Sequence, residues 1–452
     1  MTLVLAACAS APPATETTTG TTAKPEVAAT GTPTPSAANH VLSLRGSNTL
    51  GVAYAPKLVK AFLAHKGATH VVVHDEKRAK ETMWISADLG GASLWVEINT
   101  PGTKSGFQSL VKGYCDLVLA SRPITDDEVY ALRDYGDLSA PASESVVAMD
   151  GIAVITHPNS PLDHLTTAQL EQIFSGKVKN WSQVGGPEQA IHVMSRDTLS
   201  GTHDAFVSMV MHGKEVKAER WFEDSEELAH AVQSTEGAIG YVGLPYVKQT
   251  KALAIQDGAA RALYPTQFTV ATEDYALSRR LFFYAPAAPK DPLTRELVEF
   301  ALSDEGQAIV GDAGFVPLSL RSEAAQVPKD APQDYAKLAS GATRLSLDFR
   351  FKLNSANIDT KALHDLDRLT RYLASPVNRG RHLALAGFAD AQGAETINAS
   401  LAKQRAEAVA QMLKDRGIAA VEVASFGSAL PVAPNETAEG RARNRRVEAW
   451  LR

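Results

Sequence analysis

The chain opens without any hydrophobic period and acquires one only after residue 39. Residues 9–39, ASAPPATETTTGTTAKPEVAATGTPTPSAAN, hold Ala, Thr, Pro and Gly with almost no large apolar side chain. Such a composition cannot bury enough surface to offset the entropy of ordering, so a disordered tether is expected there. From His40 the pattern changes. HVLSLRG alternates as a strand does, and APKLVKAFLAH repeats its apolar residues every three or four positions, as one face of a helix does. Strand and helix patterns then alternate through LWVEI with TPGTKSGFQSLVKG, CDLVLASR, VVAMDGIAVITH, HLTTAQLEQIFSG, AIHVMSRD with SGTHDAFVSMVM, and AIGYVGL, which predicts an α/β fold over residues 40–321. The polar, Pro-containing SEAAQVPKDAPQDYAKLAS predicts a linker over 322–341. Beyond it RLSLDFRF, ALHDLDRLTRYLA, RHLALAGFAD, SLAKQRAEAVAQMLKDRG, VEVASFG and RRVEAWL predict a small α+β unit of order β-α-β-α-β-β over 342–452.

A length of 452 residues allows two or three folded units. Hydrophobic content of 44% and charged content of 21% are those of soluble globular proteins, so a sizeable core is expected. The net charge of -6 argues against a general nucleic-acid partner, which needs a basic face along a phosphate backbone, and does not bear on a single small anion. Cys8 and Cys115 stand in unlike contexts, and no disulfide between them is expected. Cys115 reads as a small buried residue. Leu5, Ala6, Ala7 and Cys8 resemble the lipobox of bacterial lipoproteins, in which the Cys thiol carries a diacylglycerol. Residues 1–8 are therefore expected to be the end of a signal whose basic start lies upstream of Met1. Beyond that run no apolar segment approaches the ~18 residues of a membrane span.

The candidate chemistry sits at helix starts. GSNTL at 46–50, TKSGF at 103–107 and SGTHDAF at 200–206 share one pattern: a strand end, Ser or Thr near a small residue, then an amphipathic helix. The first turn of a helix leaves backbone N–H groups unpaired and carries roughly half a positive charge, so it can hold an anionic oxygen; a nearby hydroxyl can donate as well. Taken alone, each stretch is accounted for by N-capping. Helix starts that follow different strands of one α/β sheet can converge on a single crevice, and then they make an anion site. Gly106 and Gly201, lacking a Cβ, are expected to let a ligand approach the backbone. No paired carboxylates, nucleophile-base set or metal-ligand cluster stands out, so no cofactor, no metal and no enzymatic activity are expected. His70 and His74 in HVVVH could share a strand face and read as solvated or core side chains.

Residues 41–320 resemble the phosphate-binding proteins of bacterial ABC importers through ASRPITDDE, LTTAQLEQIFSGKVKNWSQVGG, SRDTLSGTHDAF, EGAIGYVGLPYV and FALSDEGQAIVGDAGFVPL, in that order. The resemblance implies a two-lobe, hinge-closing periplasmic binding protein fold of type II. It also implies an anion held by main-chain amides and hydroxyls at helix starts of both lobes, together with an Arg. Carried onto this chain, the implied phosphate ligands are Ser47, Asn48 and Thr49, then Ser105 and Gly106, then Arg196, Ser200, Gly201 and Thr202, with Asp197 orienting Arg196 or capping the turn. Arg122 in ASRPI stands where some members place an Asp that accepts the proton of hydrogen phosphate. An Arg there would favour any tetrahedral dianion; its alternative is a surface ion pair with Asp126 or Asp127. The stretch 75–98 is longer than the equivalent connection in that family and is given no role.

Residues 342–452 resemble the peptidoglycan-binding C-terminal domain of outer-membrane protein A, through GFADAQGAETINASLAKQRAEAV and FGSALPVAPNETAEGRARNRRVEAW. The ligand this implies is the diaminopimelate of the peptide stem, a zwitterion that asks for a carboxylate and a guanidinium at fixed separation. Here those would be Asp390 and Arg405, with Asn398 and Leu401 between them in the motif. The alternative is that Asp390 caps its loop and Arg405 pairs with Glu407 or Glu395. Arg445 and Arg446 alternate along a predicted strand, so Arg445 is expected to face the site and Arg446 solvent. Ala389 stands where many relatives have Thr, which removes one hydroxyl.

Together these features imply a periplasmic lipoprotein that binds phosphate or a similar oxyanion and grips the peptidoglycan stem. Ala9 after the lipidated Cys resembles the residue that directs such proteins to the inner leaflet of the outer membrane. An ABC permease, the partner implied for the first module, lies in the other membrane, so capture or sensing competes with shuttle transport. The rival expectation is a cell-envelope scaffold whose two-lobe domain has no ligand.

Overall fold

The computed structural model describes residues 40–75, 82–198, 200–324, 326–351, 358–418 and 421–452; the expectations for Cys8, the signal and the tether lie outside these residues. In the first lobe, strand β1 (His40–Gly46) runs into helices α1 (Asn48–Ala53) and α2 (Ala55–His65). Helix α2 buries Ala55, Leu58, Val59, Phe62 and Leu63, one stripe at three- and four-residue spacing. Within the stretch 75–98, residues 75 and 82–98 take a role in this sheet. Strands β2 (Thr69–Asp75), β3 (Thr82–Leu89) and β4 (Ala92–Asn99) run antiparallel in sequence, and β4 lies parallel to β1. Gly90 and Gly91, at φ 61° and 82°, form the two-residue turn between the paired Leu89 and Ala92, a geometry that a side chain would strain. Helix α3 (Thr103–Val111), β5 (Leu117–Ala120) and α4 (Asp126–Ala131) follow, and the long β6 (Glu144–Thr156) leads into the second lobe.

The second lobe holds β7 (His164–Thr166), α5 (Thr167–Phe174), β8 (His192–Arg196), α6 (Gly201–Phe206), β9 (Arg220–Phe222), α7 (Ser225–Ser234), β10 (Ala238–Gly243), β11 (Lys251–Ala252), β12 (Ala254–Gln256) and α8 (Gln267–Ala271). Helix α5 starts where LTTAQ places Thr166 and Gln169 in a reciprocal capping box. Strand β13 (Ser278–Tyr284) then returns to the first lobe, which α9 (Pro292–Leu302) and α10 (Asp304–Asp312) complete.

One sheet runs through both lobes in the order β2-β3-β4-β1-β5-β13-β6-β10-β8-β9, with β11 also on β6. Two of its strands make the crossing. β6 pairs with β13 along 144–151 and with β10 along 152–156, and β13 enters antiparallel with Arg279 opposite Asp150. These two strands form the hinge.

The stretch expected as a linker is instead integrated into the second unit. β14 (Ser322–Ala324) pairs with β15 (Thr343–Arg350), and α11 (Gln333–Ala339) buries Tyr335 and Leu338 against Phe388 and Trp450. The apolar residues of QDYAKLA, three apart on one helix face, explain why this polar-looking segment docks. The unit continues with α12 (Thr360–Ala374), β16 (Leu383–Gly387), α13 (Glu395–Lys414), β17 (Val421–Ser425), α14 (Ala438–Asn444) and β18 (Arg446–Leu451), giving a sheet of order β14-β15-β18-β16-β17. Helices α12 and α13 cover one face through Leu366, Leu369, Val409 and Leu413. Helix α14 adds to the expected order of elements; its arginine-rich sequence has no apolar stripe.

Candidate functional site

A cleft of about 580 Å³ opens between the lobes. From the first lobe Asn48 and Thr49 line it, at the start of α1; from the second come Arg196 at the end of β8 and Ser200, Gly201 and Thr202 at the start of α6. Two of the expected helix starts therefore converge. Ser200 caps α6, its hydroxyl accepting from His203 N at 3.4 Å. The backbone of the capping turn is shaped by Asp197, whose carbonyl accepts from Ser200 N at 3.1 Å.

Arg196 is oriented by neutral groups, not by the Asp197 carboxylate. Its Nη2 donates to Glu223 O at 2.7 Å, its Nε to Phe222 O at 3.4 Å, and its Nη1 to Ser225 Oγ. Among the described residues no carboxylate pairs with it, so a full positive charge stands in the cleft wall with its geometry already fixed. His203, one turn inside α6, stays neutral more readily than a free histidine because burial lowers its pKa. Its Nδ1 lies 2.7 Å from the Tyr241 hydroxyl.

The remaining expected ligands stand elsewhere. Ser47 is buried, its amide donates to Leu119 O at 2.8 Å, and its hydroxyl is without a partner among the described residues. Ser105 donates its hydroxyl to Gly102 O at 2.7 Å, closing its own turn. Gly106 is required by packing: an added Cβ would lie 2.6 Å from Arg45 O, so it lets α3 approach β1 and not a ligand. The hydroxyl at the start of α3 that reaches the end of β5 belongs to Thr103, which accepts from Ser121 N at 3.1 Å. Arg122 is clamped by Glu128, at 2.8 Å to each carboxylate oxygen, and does not line the cleft. The ion pair foreseen for it thus forms with Glu128 and not with Asp126 or Asp127, because Glu128 is fixed in the capping box of α4. Gly201 also departs from expectation. What approaches it is Thr49 of the other lobe, whose Oγ1 would lie 2.2 Å from an added Cβ.

Sequence reading missed the pair at the cleft floor. Arg279 on β13 forms an ion pair with Asp150 on β6 at 2.9 Å, donates to Thr49 Oγ1 at 3.0 Å and to Gly201 O at 3.2 Å. It therefore ties both hinge strands to both lobes. The available signal was Asp150 itself, a single charge inside the otherwise apolar run VVAMDGIAVI.

His70 and His74 do not share a role. His70 lies at a bulge with φ 53° and meets Asp88 at 3.0 Å, while His74 stacks on Trp95 and meets Ser86 at 2.8 Å. Cys115 is buried, and burial pushes its thiol up to about 12.

In the C-terminal unit the structure assembles a second charged site. Asp390, just past β16, accepts from Arg445 Nη1 at 2.9 Å and from Gln392 N at 3.0 Å. Helix α13 aligns Asn398, Leu401 and Arg405 on one face. Asn398 and Arg405 are buried and Leu401 is exposed. Arg405 packs 5.7 Å from the Phe351 ring centroid, and among the described residues no hydrogen-bond or carboxylate partner holds its guanidinium. Burial and the neighbouring Arg445 lower its pKa, against the pull of Asp390. Glu395 is occupied by Ser428 and Glu407 faces Lys403, so neither pairs with Arg405. Arg445 caps α14 and precedes β18. Arg446 does not face solvent as expected: it is buried, bonded to Glu448 at 2.9 Å and stacked 3.8 Å from the Phe388 ring centroid. Sequence reading also missed Asn435 and Asn444. Asn435 Oδ1 accepts from Ala391 N at 3.0 Å and from Asn444 at 2.9 Å, tying the loop after Asp390 to α14.

Comparison with known proteins agrees with both halves. A PBP superfamily domain matches residues 87–305, and the OmpA family matches residues 350–445. The phosphate-binding protein PstS of Staphylococcus epidermidis is 35% identical over 224 residues, 48% of this chain and 67% of that protein. PstS of Staphylococcus saprophyticus is 33% identical over 264 residues, 56% of this chain and 78% of that protein. A solved structure described as a possible phosphate binding protein from Planctomyces limnophilus aligns with a TM-score of 0.50 at 25% identity, covering 67% of this chain and 98% of its own. The two-lobe architecture, the hinge strands and these relatives agree: the chain belongs to the PstS family of the PBP superfamily, a family of binding proteins and not of enzymes, and carries an OmpA family domain behind it.

Proposed function

We propose that this chain binds inorganic phosphate between its lobes while its C-terminal module holds the peptide stem of peptidoglycan. The observation that carries the first half is Arg196, a cation with no carboxylate partner among the described residues, which lines the cleft with the start of α6 in its own lobe and the start of α1 in the other. Hydrogen bonds to a charged group contribute about 1.5 to 3 kcal/mol each, and micromolar affinity needs about 8 kcal/mol, so a handful of such contacts suffices. Asn48, Thr49, Arg196, Ser200, Gly201 and Thr202 are the ligands in this reading. Arg279 joins them by setting Thr49. Ser47, Ser105, Gly106 and Arg122 support the surrounding turns.

The same logic supports the second half: Asp390 offers a carboxylate to an ammonium group, and Arg405 offers an uncompensated guanidinium to a carboxylate. The diaminopimelate of the stem carries both. In this reading residues 40–321 are the oxyanion module, 342–452 the wall module, and Cys8 a lipid anchor to the inner leaflet of the outer membrane. No helix among the described residues is long and apolar enough to cross a membrane. Fixed to the wall, the protein captures or senses phosphate and reaches an inner-membrane ABC permease only as far as residues 9–39 allow.

Titration calorimetry of the purified chain against phosphate, sulfate and arsenate tests the first half. One-site heat with phosphate is expected; silence with all three leaves a scaffold whose lobes hold no ligand. Sacculus pull-down tests the second: Asp390→Asn or Arg405→Ala is expected to lose retention, and unchanged retention places the wall contact elsewhere.

A further inference from the structure

The wall module is docked on the hinge. Residues 272–277, the turn between α8 and β13, are gripped by three of its arginines. Arg443 donates to Glu273 O at 2.6 and 3.1 Å, to Tyr275 O at 2.8 Å and to Ala276 O at 3.3 Å. Arg350 donates to Thr272 O at 2.7 Å, and Arg344 pairs with Asp274 at 2.7 Å. Just beyond the turn Asp359, which caps α12, pairs with Arg280 at 2.7 Å. The turn is strained at its centre: Glu273 adopts φ 62°, in the left-handed region that a non-glycine residue rarely takes. Burial alone would raise the Glu273 carboxyl, but Arg280, Arg350 and Lys361 together hold it down to about 2.

This turn feeds directly into the crossing strand. Successive residues of a strand point to opposite faces, and β13 uses both: Arg279 reaches Asp150, Thr49 and Gly201 in the cleft, and Arg280 reaches Asp359 in the wall module. At the far end of the contact, Arg443 lies two residues before Arg445, whose guanidinium holds Asp390. A short rigid path thus runs from Asp390 through the end of α14 to the hinge turn and on to the cleft floor.

We propose that the wall module is a hinge brace, so that occupation of the Asp390 and Arg405 site by a diaminopimelate-bearing stem changes the affinity of the cleft for phosphate. The inference rests on the function proposed above. An ammonium group that takes the Asp390 carboxylate competes with Arg445, and displacement of Arg445 is felt two residues away at Arg443. The bistable element is the hinge, with Arg279 either bridging Thr49 and Gly201 or released from them. Coupling between two binding sites is reciprocal, so phosphate must alter stem affinity by the same factor.

The test is calorimetry on the whole chain with inorganic phosphate, with and without the tripeptide L-Ala-D-Glu-diaminopimelate at saturation. The expected result is a change in phosphate Kd of about fivefold or more, the low end of measured couplings. The double variant Asp359→Asn/Arg443→Met is expected to abolish the change while both ligands still bind; the amide introduced by the first substitution keeps a capping oxygen for α12 and drops only the charge. Because that variant alters two contacts at once, Asp359→Asn alone, which drops only the pair with Arg280, serves as a second one and is expected to reduce the change; an undiminished change in a variant that still binds both ligands overturns the brace. Equal phosphate Kd values with and without bound tripeptide overturn the coupling alone. Failure of the unaltered chain to bind phosphate, or to bind the tripeptide, overturns the parent reading of that site and the coupling with it.

Discussion

The interlobe cleft and the wall site use the same charged parts in different frames. Each holds an Arg-Asp pair and a second Arg with no carboxylate among the described residues: Arg279 with Asp150 and Arg196 in the cleft, Arg445 with Asp390 and Arg405 in the wall module. The cleft draws its groups from two lobes that are joined through β6 and β13. The wall site lies within one small sheet-and-helix unit. A paired Arg positions its neighbours, whereas an unpaired Arg is the one left to meet an anion.

The largest effect that sharpens this comparison is expected at Arg196. Arg196→Ala should weaken phosphate binding on the order of 100-fold, about 2.7 kcal/mol, by calorimetry, since more than one charge-assisted contact is lost. Retention on sacculi should be unchanged in that variant.

Arg405→Ala should behave differently in kind. Wall retention should fall on the order of tenfold, from loss of one charge-assisted contact. The melting temperature should hold or rise, because the substitution removes a buried charge that forms no ion pair with a carboxylate among the described residues. A large drop in melting temperature would mean that Arg405 is a structural residue.

The hinge is probed next by Gly201→Ala, whose Cβ would lie 2.2 Å from Thr49 Oγ1. Phosphate affinity should fall on the order of tenfold through impeded closure, with melting little changed because the clash lies between lobes. A variant that binds as tightly as the unaltered chain would show that the lobes need not meet there.

Acid should weaken the docking that links the two regions. The folded-state carboxyl of Glu273 is held near 2 against an ordinary 4.5, so its contribution is present above pH 4.5 and is lost as pH falls toward 2. The contribution is on the order of 3 kcal/mol. Melting followed from pH 5 to pH 2.5 should fall less steeply in Glu273→Gln than in the unaltered chain. The smallest effect is expected for Ser105→Ala, within about twofold in phosphate affinity, since its hydroxyl serves only its own turn.

How much of this was legible beforehand depended on the range of the interactions. Helix α2 was readable because its stripe is local, and APKLVKAFLAH coincides with Ala55–His65. The convergence of Asn48 and Thr49 with Ser200 to Thr202 followed from strand-then-helix logic. The hairpin of β3 and β4 carried a signal that was passed over, Gly90-Gly91 between two alternating segments. The Arg279 contact with Thr49 was out of reach, because it joins residues 230 positions apart. The docking of the wall module was hidden for a related reason. Nothing in the local pattern marks Glu273, Asp274, Arg280 and Arg443, and only the tertiary fold brings them together at one contact. Alternation also misled at Arg446: β18 is buried along its whole length, so pointing away from the wall site does not bring a side chain to solvent.

The central claim is that groups from opposite lobes hold one tetrahedral anion, and a crystal structure of the whole chain grown in phosphate tests it most directly. The account predicts phosphate density between the starts of α1 and α6, within hydrogen-bond distance of Arg196, Thr49 and Thr202. An empty cleft, or phosphate bound only at Arg122 or on the outer surface, would contradict it.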